Sequence, residues 1–134
     1  LDGLKVLLVD DDPFMRTTIR MILRGIGHFV VIEADGGEPA LIEVVHSRPD
    51  VVLCDVEMPG MNGPQFVDKL RRHEDVDLRE TPVVILTGRS EVTTVAAAAK
   101  RQIEGYLVKP VSARQLGDRL RAIAARRQVT PPGS

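Results

Sequence analysis

The chain holds one tyrosine, three phenylalanines and no tryptophan. So sparse an aromatic set leaves few platforms on which the bases of single-stranded nucleic acid can stack. The single cysteine, Cys54, excludes an internal disulfide. Its neighbours Val51, Val52 and Leu53 mark it as a small apolar core residue rather than a reactive thiol. No apolar run approaches the ~18 residues of a membrane-spanning helix, and no secretory leader pattern is visible. A cytoplasmic setting without membrane attachment is therefore expected. Neither sign of charge is in excess: 18 Lys and Arg stand against 19 Asp and Glu. That balance offers no bulk attraction to nucleic acid or to an acidic membrane.

What is present is a chain of 134 residues, the size of one domain and long enough to bury a core without staples. Five short apolar runs recur: Lys5–Val9, Val30–Ala34, Val51–Asp55, Val83–Thr87 and Tyr106–Val108. They are rich in Val, Ile and Leu and mostly do not alternate, which suits strands covered on both faces of a parallel sheet. Segments of helical period separate them. Asp12-Pro13 supplies a cap and a first-turn proline, and Phe14, Ile19, Ile22, Leu23 and Ile26 mark the apolar face of the first helix. A second helix follows Gly36-Gly37, with Ala40, Leu41, Val44 and Val45 as its stripe. A third follows Asn62-Gly63 and uses Phe66, Val67 and Leu70. A fourth starts near Ser90 and runs through Val92, Val95 and Ala96–Ala99. The fifth begins at Ser112, three residues before Gln115 in a capping-box pattern, and continues with Leu116, Leu120, Ile123 and Ala124. Five β-α units in alternation imply an α/β fold: a doubly wound parallel five-stranded sheet with right-handed crossovers and helices on both faces. Residues 1–127 read as one domain. Residues 128–134, with Pro131-Pro132-Gly133-Ser134, read as a tail or the start of a linker. The first residue is Leu rather than Met, which leaves neighbouring domains an open question.

The polar residues fall at one edge of this expected sheet. Asp10, Asp11 and Asp12 follow the first strand, Asp55 ends the third, Thr87 ends the fourth and Lys109 follows the fifth. In open parallel sheets, sites form at the carboxyl ends of the strands near the point where strand order reverses. Clustered carboxylates repel unless a cation sits among them, and an all-oxygen donor set suits Mg²⁺. A carboxylate can attack phosphorus to form an aspartyl phosphate. Positioning and charge neutralisation then carry the transfer, with Lys109 as a point charge and Thr87 as a hydrogen-bond donor. Each residue also has a plain reading. Asp10–Asp12 could be acids at a helix N-terminus, the reading favoured for Asp12. Asp55 could be a turn residue before Met58-Pro59-Gly60, Thr87 a loop hydroxyl and Lys109 a surface charge. Their joint arrival at four strand ends favours the chemical reading.

At these residues the chain resembles the receiver domain of bacterial response regulators, the second component of two-component signalling. Leu7-Leu8-Val9-Asp10-Asp11, the segment Pro49–Gly63 around Asp55, Ile85-Leu86-Thr87-Gly88 and Gly105-Tyr106-Leu107-Val108-Lys109-Pro110 carry the likeness, which covers about Lys5 to Arg127. The resemblance implies a flavodoxin-like strand order 2-1-3-4-5. It implies that Asp55 is the phosphoacceptor and that Asp11 and Asp55 ligate Mg²⁺ by side chain and Glu57 by its backbone carbonyl, with Asp10 acting through metal-bound water. Thr87 and Lys109 would contact the phosphoryl group, and the donor would be a phosphohistidine on a sensor histidine kinase or a histidine phosphotransfer protein. It further implies a cis peptide before Pro110, and a switch in which the added charge draws Thr87 and admits the ring of Tyr106. The altered surface would comprise the fourth helix, fifth strand and fifth helix, and would control an unknown partner or output domain. The plain reading of Tyr106 is a half-buried aromatic at a strand edge.

The chain departs from the family pattern at Val111, where Phe is frequent, and at Gln102, where many relatives have Gly. Ala96–Ala99 reads equally as a close-packed helix face or a flat docking surface. Glu57 and Arg89, two residues beyond Asp55 and Thr87, suggest an ion pair at the mouth of the site that limits attacking water. Arg114, Arg119, Arg121, Arg126 and Arg127 on the fifth helix read first as a solvated helix. His28, His46 and His73 lack ligand spacing. Two competitors stand beside the switch: a phosphohydrolase with a nucleophile at Asp10, which lacks later acids for its metal, and a receiver-shaped module that is never phosphorylated. Dimerisation through the last two helices is left open. The expectation is a protein that catalyses only its own phosphorylation and dephosphorylation and binds no nucleic acid through this domain.

Overall fold

A computed structural model describes residues 3–88 and 102–128, the side chains of the last two excepted. Five parallel strands, β1 (Lys5–Val9), β2 (Val30–Ala34), β3 (Val51–Asp55), β4 (Val83–Thr87) and β5 (Gly105–Val108), form one sheet in the order β2-β1-β3-β4-β5. The helices described are α1 (Pro13–Ile26), α2 (Gly37–Ser47), α3 (Gly63–Arg71), a single turn α4 (Val76–Arg79) and α5 (Ala113–Gln128). The helix expected from Ser90 through Ala99 lies outside the described residues, as does the tail beyond Gln128.

The non-alternating strands are explained by two cores. Successive strand residues point to opposite faces, and here both faces are covered. Leu7, Val9, Val52, Cys54, Val83 and Ile85 pack with Ala40 and Val44 of α2 and Phe66, Val67 and Leu70 of α3. Val6, Leu8, Val51, Leu53, Val84 and Leu86 pack with Ile19 and Leu23 of α1 and Leu116, Leu120 and Ile123 of α5. Each fully buried Leu or Phe contributes roughly 1.5–3 kcal/mol, so these two layers set the orientation of every crossover. Val111 joins the second layer, a place for the smaller residue found there.

Two expected helix faces need correction. Phe14 is 76% exposed. At 3.6 residues per turn it lies roughly 140° around α1 from Ile19, and Met15 takes its place against the core. Val45 is exposed at the margin of the α2 stripe, about 100° from buried Val44. The turn α4 was not expected, since four residues show no period. Its cue is Asp75, whose side chain accepts from the Asp77 and Leu78 N–H groups and pairs with Arg48 at 2.6 Å. That ion pair and those backbone donors hold the Asp75 carboxyl below its usual range. Arg71 closes this region. It donates to the Arg79, Thr81 and Gln102 carbonyls at 2.9, 2.8 and 2.9 Å, and its burial disfavours the charged form. Gln102 lies in a turn, and among the described residues the one non-glycine at positive φ is Arg48.

Candidate functional site at the carboxyl edge of the sheet

Parallel register delivers the site. Val9 is level with Cys54, Asp55 with Leu86, and Thr87 with Val108. The ladder then runs on past the strand ends: the Asp10 N–H donates to the Ala34 carbonyl at 3.1 Å and the Lys109 N–H to the Thr87 carbonyl at 2.8 Å. Backbone hydrogen bonds thus seat Asp10, Asp55, Thr87 and Lys109 on rigid strand termini rather than on free loops.

Asp10, Asp11 and Asp55 each bring a carboxylate oxygen within 4.8 Å of the others. Asp10 and Asp55 are buried and Asp11 is exposed. Two such charges repel by on the order of 3 kcal/mol at an effective dielectric near 20. Burial pushes the Asp10 carboxyl above its ordinary value, and the charges of Asp55 and Asp11 add to this. The Asp12 N–H, which donates to Asp10 Oδ1 at 2.9 Å, and the Lys109 charge act in the opposite direction. Lys109 Nζ reaches Asp55 Oδ1 at 2.7 Å across 54 positions of sequence, and the Lys109–Pro110 peptide is cis. Three carboxylates against one ammonium leave an excess of negative charge with all-oxygen donors, which fits a hard cation such as Mg²⁺.

The main chain behind Asp55 is pinned as tightly. The Gly63 N–H donates to the Val56 carbonyl at 2.8 Å, and a Cβ at Gly63 would stand 2.6 Å from the Asp55 carbonyl oxygen. Only glycine permits that approach. Asn62 and Gln65 then form a reciprocal capping box that launches α3.

Thr87 is fully buried, and its hydroxyl donates to the Gly88 carbonyl at 3.1 Å. Tyr106 is half-buried against the α2–α3 layer. Glu57 is exposed, while Arg89, its expected partner, lies outside the described residues. Asp12 stands apart from the cluster and caps α1 through Phe14 N–H at 2.9 Å, as its plain reading held. Cys54 is buried, with its Sγ on the Asp55 carbonyl at 3.3 Å, and burial pushes its thiol up, out of nucleophilic range. Three of the five α5 arginines are engaged within the domain: Arg119 donates to the Glu104 carbonyl at 3.1 Å, Arg126 pairs with the Glu104 carboxylate, and Arg121 pairs with Asp118.

One participant escaped the sequence reading. Arg16 Nη1 donates to the Asp10 carbonyl at 2.6 Å and Nε to Glu33 Oε1 at 2.8 Å, while Arg20 holds the other Glu33 oxygen. The signal was Glu33 itself, a charge inside the apolar run Val30–Ala34 that called for a cationic partner.

Comparison with known proteins agrees with this geometry. The response regulator receiver domain profile matches residues 6–121. The chain is 34% identical over 127 residues to the DNA-binding response regulator MtrA of Mycolicibacterium smegmatis, covering 95% of this chain but only 53% of that protein. It thus spans about half the length of that curated relative. It is 34% identical over 124 residues to chemotaxis protein CheY-3 of Vibrio cholerae, covering 92% of this chain and 94% of that one. Among solved structures, the chemotaxis response regulator CheY4 of Vibrio cholerae superposes with a TM-score of 0.77 at 30% identity, over 90% of this chain and 98% of that one. Sheet order, strand-end residues and these likenesses converge: the chain belongs to the response regulator receiver domains of two-component signalling.

Proposed function

We propose that Asp55 accepts a phosphoryl group from a phosphohistidine donor and that the charge so added switches the surface of the domain. The observation that carries this is the meeting of Asp10, Asp11, Asp55 and Lys109 at one edge. An Asp55 carboxylate oxygen forms the P–O bond as the P–N bond to the donor imidazole breaks, and the imidazole keeps that electron pair. Asp11 and Asp55 by side chain, Glu57 by backbone carbonyl and Asp10 through bound water would hold Mg²⁺, which when bound neutralises charge on the transferring group. Lys109 is already at Asp55 and needs only a small shift to bridge to a phosphoryl oxygen. Among relatives of this family the donor is a histidine kinase or phosphotransfer protein, and we assign the same class of partner here, in the cytoplasm.

The switch uses Thr87. Its hydroxyl, now on the Gly88 carbonyl, would turn to a phosphoryl oxygen and draw the segment after β4 with it. Phosphorylation adds about -1.5 to -2 charges, and it shifts an existing equilibrium rather than creating a new state. Tyr106, half-buried on edge strand β5, is placed to follow, and β5, α5 and the helix expected from Ser90 form the surface read by a partner or output domain. Glu57 and Arg89 would set how long the phosphoryl group lasts.

Incubation with Mg²⁺ and acetyl phosphate tests the reading. Intact mass should rise by one phosphoryl group, and Asp55→Asn should abolish the rise. Label on Asp10 instead would transfer the assignment to an aspartate-nucleophile phosphohydrolase. A parent protein that takes no label under saturating Mg²⁺ would leave an unphosphorylated interaction module.

A further inference from the structure

We infer that Arg16 is a positioning residue for the cation site, acting through the peptide that joins Asp10 to Asp11; the inference rests on the Mg²⁺ reading above. Arg16 begins the second turn of α1, with its N–H on the Asp12 carbonyl at 3.1 Å. Helical side chains lean toward the helix N-terminus, so a long one at this position reaches back over the β1–α1 loop. Its side chain is 17% exposed, and the guanidinium forks between two elements, the Asp10 carbonyl at 2.6 Å and Glu33 on β2 at 2.8 Å. Arg20 grips the second oxygen of Glu33, so the fork has a fixed base.

The bond to the Asp10 carbonyl matters because that oxygen lies in the rigid plane shared by Asp10 and Asp11. Asp10 is otherwise held by the Ala34 carbonyl through its N–H and by the Asp12 N–H through its carboxylate. The first anchor fixes Asp10 alone, and the second spans the plane leading to Asp11 from its amide side, leaving the carbonyl side to Arg16. Asp11 is the exposed member of the cluster, and the orientation of that plane decides whether its carboxylate meets those of Asp10 and Asp55. Arg16 completes the restraint on that plane by holding its carbonyl, so the three acids stand ready before a cation arrives.

Mg²⁺ titration by isothermal calorimetry on the purified protein tests this. Arg16→Met should weaken binding about tenfold, the usual scale for removing a group that orients a ligand. Arg16→Lys, which can reach one of the two partners but not fork between them, should weaken it less. Arg20→Met takes a cation from Glu33 without touching Asp10 and should bind Mg²⁺ within about twofold of the parent. Melting temperatures without Mg²⁺ separate positioning from general stability, because loss of a Glu33 ion pair lowers both Arg16→Met and Arg20→Met. If Arg16→Met does not fold, Arg16→Lys with parental affinity overturns the inference. So does a folded Arg16→Met with parental affinity, or affinities that merely follow the melting temperatures. A flat titration of the parent sinks the Mg²⁺ reading itself and this inference with it.

Discussion

The two ends of the sheet handle charge in opposite ways. At the amino end, charged groups are seated on partners inside the domain. Lys5 Nζ donates to the Ser47 carbonyl at 2.7 Å and its N–H to Asp50 at 2.8 Å. Arg71 ties three carbonyls, and Glu104 receives Arg119 and Arg126. At the carboxyl end, three carboxylates share Lys109. The first arrangement is what stability alone produces, since buried polar groups find partners. The second costs stability, and such arrangements cluster at functional sites. The difference singles out the carboxyl edge as the candidate site without reference to any relative.

The largest test of this contrast is Lys109→Met. Removing the ammonium that meets Asp55 should slow phosphorylation by acetyl phosphate about 100-fold, while circular dichroism shows the fold retained. An unchanged rate would mean that Lys109 is only a structural counter-ion to Asp55. At the other end, Arg71→Met should leave that rate within twofold or so of the parent yet lower stability in urea by about 3 kcal/mol, because three carbonyls lose a charged donor. A variant that lost activity in proportion would erase the division between the two ends.

The smallest effect has the most telling sign. Asp10→Asn should raise stability without Mg²⁺ at pH 7, by about 1 kcal/mol, or roughly 4 °C in Tm. The folded state raises the Asp10 carboxyl above its unfolded value. The parent is therefore penalised once pH exceeds that raised value, and the penalty fades as pH falls toward the unfolded one. The advantage of the variant should accordingly appear as pH climbs through this window and stay flat above it. Thermal melts across pH check this, and addition of Mg²⁺ should reverse the ranking.

Much of the fold was legible because strand and helix signals are local. Four of the five apolar runs match their strands residue for residue, and the fifth differs only by Gly105, which has no side chain to announce a strand yet pairs with Val84. Asp12 and Asn62 were legible as helix starts because capping depends on a few adjacent residues. The errors are as instructive. Phe14 looked like a core residue by type, but α1 turns it away from the sheet. α4 was too short to show a period. Arg16 was passed over because a lone arginine on an amphipathic helix carries no pattern of its own.

By itself, then, the sequence determined which residues stand at the carboxyl ends of the strands, and so which chemical groups the candidate site holds. Only the tertiary structure decided how they meet: Lys109 on Asp55, Arg16 forked between Glu33 and the Asp10 carbonyl, and the Thr87 hydroxyl resting on Gly88. Periodicity and capping are set within a turn or two of chain. Contacts between residues 54 positions apart depend on strand order and register, which the packing of two apolar layers settles for the whole molecule at once.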